Sequence, residues 1–268
     1  MTILRFYKVN HKISVVTVCY NAADTIEETM LSVLNQTYDN VEYIVIDGGS
    51  TDGTVDIIKK YADRLAYWVS EPDKGIYDAM NKGIAVASGD YINFMNAGDR
   101  FFECDTISKI SPFMQTHPII VYGDWIESFN GQMVEKKALP LTHLRKGMAF
   151  PHQSAFIQNS YHKSKPYDTR YRIAADYNLF YNAFVNNERF EYADMTVSVY
   201  DMTPSKSISL KNYKYLIQEH LQISWSGNPI TLAIKKRTMI MDYYIRTQIK
   251  KILPQSVVHK IKRYLNRH

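Results

Sequence analysis

ISVVTVCYNAADTIEETMLSVLNQTYDNVEYIVIDGGSTDGT, residues 13–54, is the stretch that decides the fold. It opens on Ile13 to Val18, rich in β-branched side chains, and carries a second such run, Val41 to Ile46, ahead of Asp47-Gly48-Gly49-Ser50. Short apolar runs that do not alternate with polar residues read as strands buried on both faces. Between them, Asp24-Thr25-Ile26-Glu27 resembles a capping box, and Ile26, Met30, Val33 and Leu34 recur on one face of a helix. A strand, a helix and a strand in this order make a crossover that sets the two strands parallel.

Outward from this unit the alternation continues. Thr54 to Tyr61 reads as a helix, Leu65 to Val69 as a third strand, and Ile76 to Ala87 as a helix with Ile76, Met80, Ile84 and Ala87 on one side. Tyr91 to Met95 is a fourth strand, Ser154 to Ile157 a later one, and Tyr177 to Val185 an apolar helix entered from Arg172 to Ala175. The order predicts an α/β fold, a mostly parallel sheet flanked by helices. In such sheets ligands bind beyond the carboxyl ends of the strands. The segments there are Tyr20 and Asn21, Asp47 to Gly49, Glu71 to Tyr77, and Asn96 to Asp99. Neither G-x-G-x-x-G nor G-x-x-x-x-G-K-[ST] follows the first strand, so a nicotinamide oxidoreductase is a distant alternative.

The 268 residues, 46% apolar and 22% charged, suffice for one large domain with an appendage, expected as 1–205 and 206–268. Two cysteines, Cys19 and Cys104, with no metal-type spacing around them, suggest a reducing compartment. MTILRFYKVNHKIS has no apolar stretch of leader length, and no run is long enough to span a bilayer, so the expectation is a cytoplasmic chain that is not integral. From Pro229 to His268, ten Lys or Arg face the single Asp242, a net of +9, so the rest of the chain carries −4 of the overall +5. Asn228-Pro229 suits a helix start, with Ile234, Met241, Ile245 and Ile252 along one side and lysines and arginines elsewhere. A shorter helix after Pro254 repeats the plan with Val257, Ile261 and Leu265. Such a basic amphipathic extension suits the anionic surface of a membrane, or a helical hairpin packed on the body with a solvated basic face. Nucleic acid is disfavoured, because few aromatics interleave with these charges.

Together with EPDKGIYDAMNKGIAVASGDYINFMNAGD, residues 71–99, the opening stretch resembles the family 2 glycosyltransferases of the GT-A fold, and especially those that build bacterial polysaccharides. The resemblance is dense over residues 13 to 100 and looser to about residue 200. It implies a Rossmann-like sheet, a nucleotide-sugar donor with a UDP-sugar as the leading expectation, and Mn2+ or Mg2+ bridging the donor's two phosphates. It implies that Tyr20 lies against the nucleobase, Asp47 near the base or ribose, and Asp78 and Asn81 along the ribose-to-sugar part of the pocket. The metal-binding element falls at Asn96 to Asp99, with Asp99 the carboxylate and Asn96 an amide oxygen. Two departures stand out: Asp47-Gly48-Gly49-Ser50 replaces the usual Asp-Asp-Gly-Ser, and Asn96-Ala97-Gly98-Asp99 is poor in carboxylates. From spacing alone, Asp47 and Asp99 suit turn or helix caps equally well, Tyr20 suits packing, and Asp78 and Asn81 suit the first turns of a helix.

The base of such an enzyme is expected at Asp176, with Asp168 and Glu188 as alternatives and a helix cap as the plain reading. His152, in FPHQSAFI, is expected near the diphosphate or acceptor. The function implied is inverting transfer of a hexosyl or N-acetylhexosaminyl group to a lipid-linked glycan at the cytoplasmic face of the inner membrane, in surface polysaccharide synthesis. The alternative is a binding or scaffold subunit that keeps the fold without turnover, suggested by the thin metal element.

Overall fold

β1 (Ile13–Cys19) and β2 (Val41–Asp47) are the parallel pair read from the sequence, in register from Ile13 against Val41 to Cys19 against Asp47. α1 (Ile26–Leu34) joins them, and α2 (Thr54–Lys60) leads on to the edge strand β3 (Tyr67–Ser70). This computed structural model describes residues 10–129, 131–201, 210–224, 236–238 and 240–241. They fall into two units, Met1–Ser205 and Lys206–His268.

Every residue of β1 is buried, because the strand is covered on both faces. Ile13, Val15 and Cys19 join Ile26, Met30 and Val33 of α1 and Ile58 of α2 in one core, which Ile107 and Ile110 of α4 (Thr106–Ile110) extend. Val16, on the other face, meets α3 (Ile76–Val86) where Gly83 replaces a side chain. A Cβ there would lie 2.5 Å from Val16 Cγ1. Of the face expected for this helix, Met80, Ile84 and Ala87 are buried, and only Ile76, its first residue, departs from it. Ile76 is 45% exposed, while Tyr77, Ala79, Met80 and Ile84 are buried. The expected capping box is also absent: Thr25 makes no side-chain cap to α1. Glu27 instead accepts from Lys60 Nζ (2.7 Å) and Tyr61 Oη (2.6 Å), tying α1 to the end of α2.

β4 (Tyr91–Phe94) continues the parallel half beside β1. Beyond it the sheet is mixed. β8 (Ala155–Gln158) runs antiparallel to β4, and β6 (Ile120–Phe129) antiparallel to β8. β9 (Phe190–Asp201) is parallel to β6, and β5 (Arg100–Phe101) caps β9. β7 (Gln132–Lys136) forms a hairpin with β6. The strand order is β3-β2-β1-β4-β8-β6-β9-β5, so the mostly parallel reading holds for the first four strands only. β4 and β6, with α4 between them in the chain, run the same way, and β8, which follows the β6–β7 hairpin, returns between them in the opposite direction. The reversal puts the residues just before β8, His152 and Gln153, at the carboxyl end of β4, and the end of β9, Asp201, comes to the same rim. α5 (Asn159–Ser164) follows β8, and α6 (Ala175–Val185) starts two residues before the apolar run predicted for it.

The opposite rim is held by Glu42, which accepts from Lys12 Nζ (2.8 Å), Ser14 Oγ (2.5 Å), and Ser88 N and Oγ (2.7 and 2.6 Å). Burial pushes its carboxyl up, but the bonds from Lys12, Ser14 and Ser88 outweigh it and hold the pKa at about 2, below the ordinary 4.5. A depressed folded pKa gives stability that is present above the unfolded value and lost as pH falls through the folded one. Glu42→Ala is accordingly expected to cost about 2–3 kcal/mol near neutral pH. The gap to wild type should close as melting curves are taken from pH 4.5 down toward 2. A pH-independent gap would show that the charge plays no part.

In the second unit, α7 (Leu210–Ser224) is a helix, and Lys236 Nζ donates to Gln218 Oε1 (2.9 Å). Apart from 236–238 and 240–241, the basic helices expected from Asn228 onward lie outside the described residues. No helix among the described residues is long and apolar enough to cross a membrane.

Candidate active site

The loops at the carboxyl ends of β1 to β4 form two groups of side chains. In the first, Tyr20 follows β1 and is 65% exposed. Asp47, at the end of β2, is buried and accepts from Ser50 N (2.9 Å) and Oγ (2.5 Å), Gly49 N (3.1 Å), Ser70 Oγ (2.6 Å) and Cys19 Sγ (3.4 Å). Burial raises its pKa, and the bonds from Ser50 and Ser70 overcome that and hold it below the usual range. This carboxylate is occupied in building its own loop and fastening it to β3. The side chain that does reach toward Tyr20 is Asp73. A Cβ on Gly48 would lie 2.4 Å from Asp73 Oδ2 and 3.4 Å from Tyr20 Cδ2. Asp73 thus stands in the space that the second aspartate of an Asp-Asp-Gly-Ser loop would claim, with its other oxygen held by Gly75 N (2.8 Å). An exposed aromatic ring beside a carboxylate suits a base that presents an imide N–H.

Asp78 accepts from Lys74 N (3.0 Å) and closes the turn into α3. Asn81 spends both ends of its amide on Tyr167, Nδ2 to its carbonyl oxygen (2.8 Å) and Oδ1 from its N–H (2.9 Å). Both residues therefore pin loops as placed, and the residue of α3 that reaches the second group is Tyr77.

The second group is a chain of hydrogen bonds. Asn96 Nδ2 lies 3.0 Å from His152 Nε2, and His152 Nδ1 lies 3.1 Å from Asp176 Oδ2. An amide nitrogen can only donate, so Nε2 accepts and Nδ1 carries the hydrogen that Asp176 receives; the pattern assigns the tautomer. Asp176 Oδ1 is met by Tyr77 Oη (3.0 Å) and by Tyr177 N (2.8 Å). Burial raises the Asp176 pKa, but the hydrogen bonds from His152, the Tyr177 amide and Tyr77 outweigh it, and the carboxyl lies below its usual value. Next to this chain, Asp99 is buried, with Oδ2 held by Gln153 Nε2 (2.7 Å) and Oδ1 by Asp201 N (3.1 Å). Here burial wins over Gln153 and His152, and the pKa rises to about 6.

Asn96, His152 and Asp176 are thus joined in one chain, and Asp99 sits beside it. Asp168 does not join this chain: it pairs with Arg170 (2.6–3.0 Å) in its own loop. Glu188 lies past the far end of α6, roughly 15 Å along the helix from Asp176. Tyr77 and Asp73 fall within the Glu71 to Tyr77 segment, but nothing in the sequence sets them apart from their neighbours there. The glycine pair after β2 was the available signal for Asp73, since a missing side chain leaves room that some neighbour fills.

Whether these residues fit a divalent ion can be judged from their oxygens. Asn96 Oδ1 is buried with no hydrogen-bond partner, and a buried acceptor in that state needs an explanation. Mg2+ and Mn2+ at phosphate sites need one or two carboxylates, the rest coming from substrate oxygens and water. Asp99 together with Asn96 Oδ1 fits such a partial set. Among the described residues no group of three or more His, Cys, Asp and Glu is arranged to hold a metal by itself.

Known proteins carry this arrangement further. The profile described as Glycosyl transferase family 2 matches residues 14–186, more than half of the chain. An uncharacterized glycosyltransferase of Mycobacterium tuberculosis is 38% identical over 172 residues, 61% of this chain, and the match spans only 65% of that relative's own length. A PGL/p-HBAD biosynthesis glycosyltransferase of Mycobacterium bovis is 30% identical over 190 residues, 65% of this chain and 70% of its own. A mannosyltransferase from Pyrobaculum calidifontis, solved with GDP-Man and Mn2+, superposes with a TM-score of 0.64 over 96% of this chain and 81% of its own; at 16% identity it speaks for the fold alone. The mixed sheet with flanking helices is the GT-A fold, and the chain belongs to glycosyl transferase family 2.

Proposed function

We propose that the chain transfers a glycosyl group, hexosyl or N-acetylhexosaminyl, from a nucleotide sugar to an acceptor hydroxyl with inversion at the anomeric carbon. The observation that carries this reading is the chain Asn96–His152–Asp176–Tyr77 at the carboxyl rim of the sheet, with Asp99 beside it. Asp176 takes the proton of the acceptor hydroxyl, and the oxygen attacks the anomeric carbon opposite the departing diphosphate. His152 and the Tyr177 amide hold the carboxylate in its ionised form and fix its direction. Asp99 and Asn96 would hold Mg2+ or Mn2+, which when bound neutralises charge on the leaving diphosphate. Tyr20 and Asp73 support a nucleobase with an imide N–H, and a UDP-sugar is the donor we propose. Thermal-shift measurements with UDP-, dTDP- and GDP-sugars in the presence of Mn2+ test this, since a ligand of the folded state raises the melting temperature. A UDP-sugar should give the largest rise, and no rise with any of them would refute the donor reading.

The acceptor we propose is a lipid-linked glycan of surface polysaccharide synthesis, reached with the chain at the cytoplasmic face of an anionic membrane. The PGL/p-HBAD biosynthesis named for the Mycobacterium bovis relative and the +9 charge of residues 229–268 support this. Liposomes rich in anionic lipid should co-sediment the full chain in low salt, and a chain ending at Asn228 should sediment less. Equal sedimentation of both would sink the membrane role. The scaffold alternative draws on Asp99, both of whose oxygens are already hydrogen-bonded. Metal-stimulated hydrolysis of a nucleotide sugar would exclude it.

A further inference from the structure

We propose that the groove between α5 and α6 binds carbohydrate: a segment of the acceptor glycan away from the sugar whose hydroxyl is glycosylated. That the sugar belongs to the acceptor rests on the transfer reading above, whereas the affinity for sugar rests on the lining of the groove.

The groove encloses about 400 Å3, within the range of small-molecule sites. One wall is α6, where Ala175, Asn178, Leu179, Asn182 and Asn186 recur at three- and four-residue spacing and so share a face of the helix. The other is Tyr161 of α5, with Lys165 and Pro166 just past its end. Asparagine is a costly choice for the first wall. It forms helix less readily than alanine by up to ~0.7 kcal/mol per position, and an exposed helical face gains more from charged pairs four residues apart. The fold takes little in return. Asn182 Nδ2 donates to Asn178 Oδ1 (3.0 Å), and among the described residues the side chains of Asn178, Asn182 and Asn186 make no other hydrogen bond. Asn178 Nδ2, Asn182 Oδ1, the whole Asn186 amide and the Tyr161 hydroxyl are thus left for solvent or a ligand.

The lining selects the class of ligand. Ala175 and Leu179 are buried and make an apolar floor, and the Tyr161 ring adds an apolar side. A sugar ring offers apolar C–H faces edged by hydroxyls that donate and accept at once, and an amide answers each hydroxyl with one group of either kind. Lys165 is the single charged residue of the lining, so a phosphate-rich ligand finds no cluster of cations and a cationic one no carboxylate. An extended peptide finds no open strand edge between two helices. The position suits an acceptor. Ala175 precedes Asp176 in the chain, and the groove follows α6 from there for roughly 15 Å to the helix end. A glycan that presents its terminal hydroxyl to Asp176 has further sugars to place, and the groove begins one residue away.

Saturation-transfer NMR titrations of the full chain with maltotetraose, cellotetraose, chitotetraose and mannotetraose provide the test. At least one tetrasaccharide should bind, and Asn182→Ala and Asn186→Ala should each weaken it by about 10-fold, as loss of a hydrogen-bonding amide does. Alanine is the better helix former, so both variants should melt no lower than wild type. Release of nucleoside diphosphate from UDP-glucose, UDP-N-acetylglucosamine and GDP-mannose, with Mn2+ and water as acceptor, should be unchanged in both. A chain that binds none of the four, or binds one equally well without these amides, overturns the proposal, and so does a fall in donor hydrolysis in either variant. The two readings fail separately. Amide-dependent binding in a chain that releases no nucleoside diphosphate removes the transfer reading and leaves a carbohydrate site. Donor turnover with no tetrasaccharide bound removes the groove alone.

Discussion

Asp176→Asn is expected to cut glycosyl transfer by about 10²-fold or more while leaving nucleotide-sugar binding nearly unchanged. The carboxamide has the shape of the carboxylate but cannot take a proton from an acceptor. Its oxygen can still receive the Tyr77 and Tyr177 donors, which lie on the Oδ1 side. Its nitrogen would then meet the His152 Nδ1–H, now donor against donor, where the wild type has a 3.1 Å hydrogen bond. That mismatch costs about 1–3 kcal/mol of stability unless His152 changes tautomer and the Asn96 amide turns over. A melting curve, a donor titration and a turnover assay on one preparation separate the outcomes. Lost turnover with retained donor binding supports the base. Joint loss of binding and folding would make Asp176 a structural cap, the plain reading of an acid in the first turn of α6.

Asp99→Ala is expected to abolish the part of turnover that depends on Mn2+ or Mg2+, a loss of several kcal/mol in transition-state stabilisation. The substitution also strips Gln153 Nε2 and Asp201 N of their acceptor, so the folded state should lose about 1–3 kcal/mol. Asp99→Asn is the control. It keeps an oxygen for one of those donors and removes the charge, so it should be metal-insensitive while melting closer to wild type. A Mn2+ titration of turnover reads the effect directly. A mutant that responds to Mn2+ as the wild type does would falsify the assignment of Asp99 to the ion.

What could be read from the chain alone was whatever depends on neighbours within a few turns. β1, β2 and α1 follow from apolar runs and a 3.6-residue repeat. The placement of functional loops after strands follows from the sheet type, and the charge of the C-terminal segment is simple composition. Motif order carried the family, and with it the short list that held Asn96, Asp99, His152 and Asp176. The tertiary structure decided what depends on partners far apart in sequence. The direction of β8 brings His152 to Asn96, 56 positions away, and an antiparallel entry leaves no mark in local periodicity. Ile76, the first residue of α3, is exposed while Tyr77 is buried, and there Tyr77 meets Asp176 across 99 positions. Asp47 faces its own loop, where Ser50 and Ser70 replace the water a buried carboxylate gives up. Asp73 fills the place of a side chain that Gly48 lacks. Side-chain period and turn chemistry act over a handful of residues, whereas hydrogen-bond partners and close packing are chosen by the fold as a whole, and the hydrogen-bonded chain of this site is made of the latter.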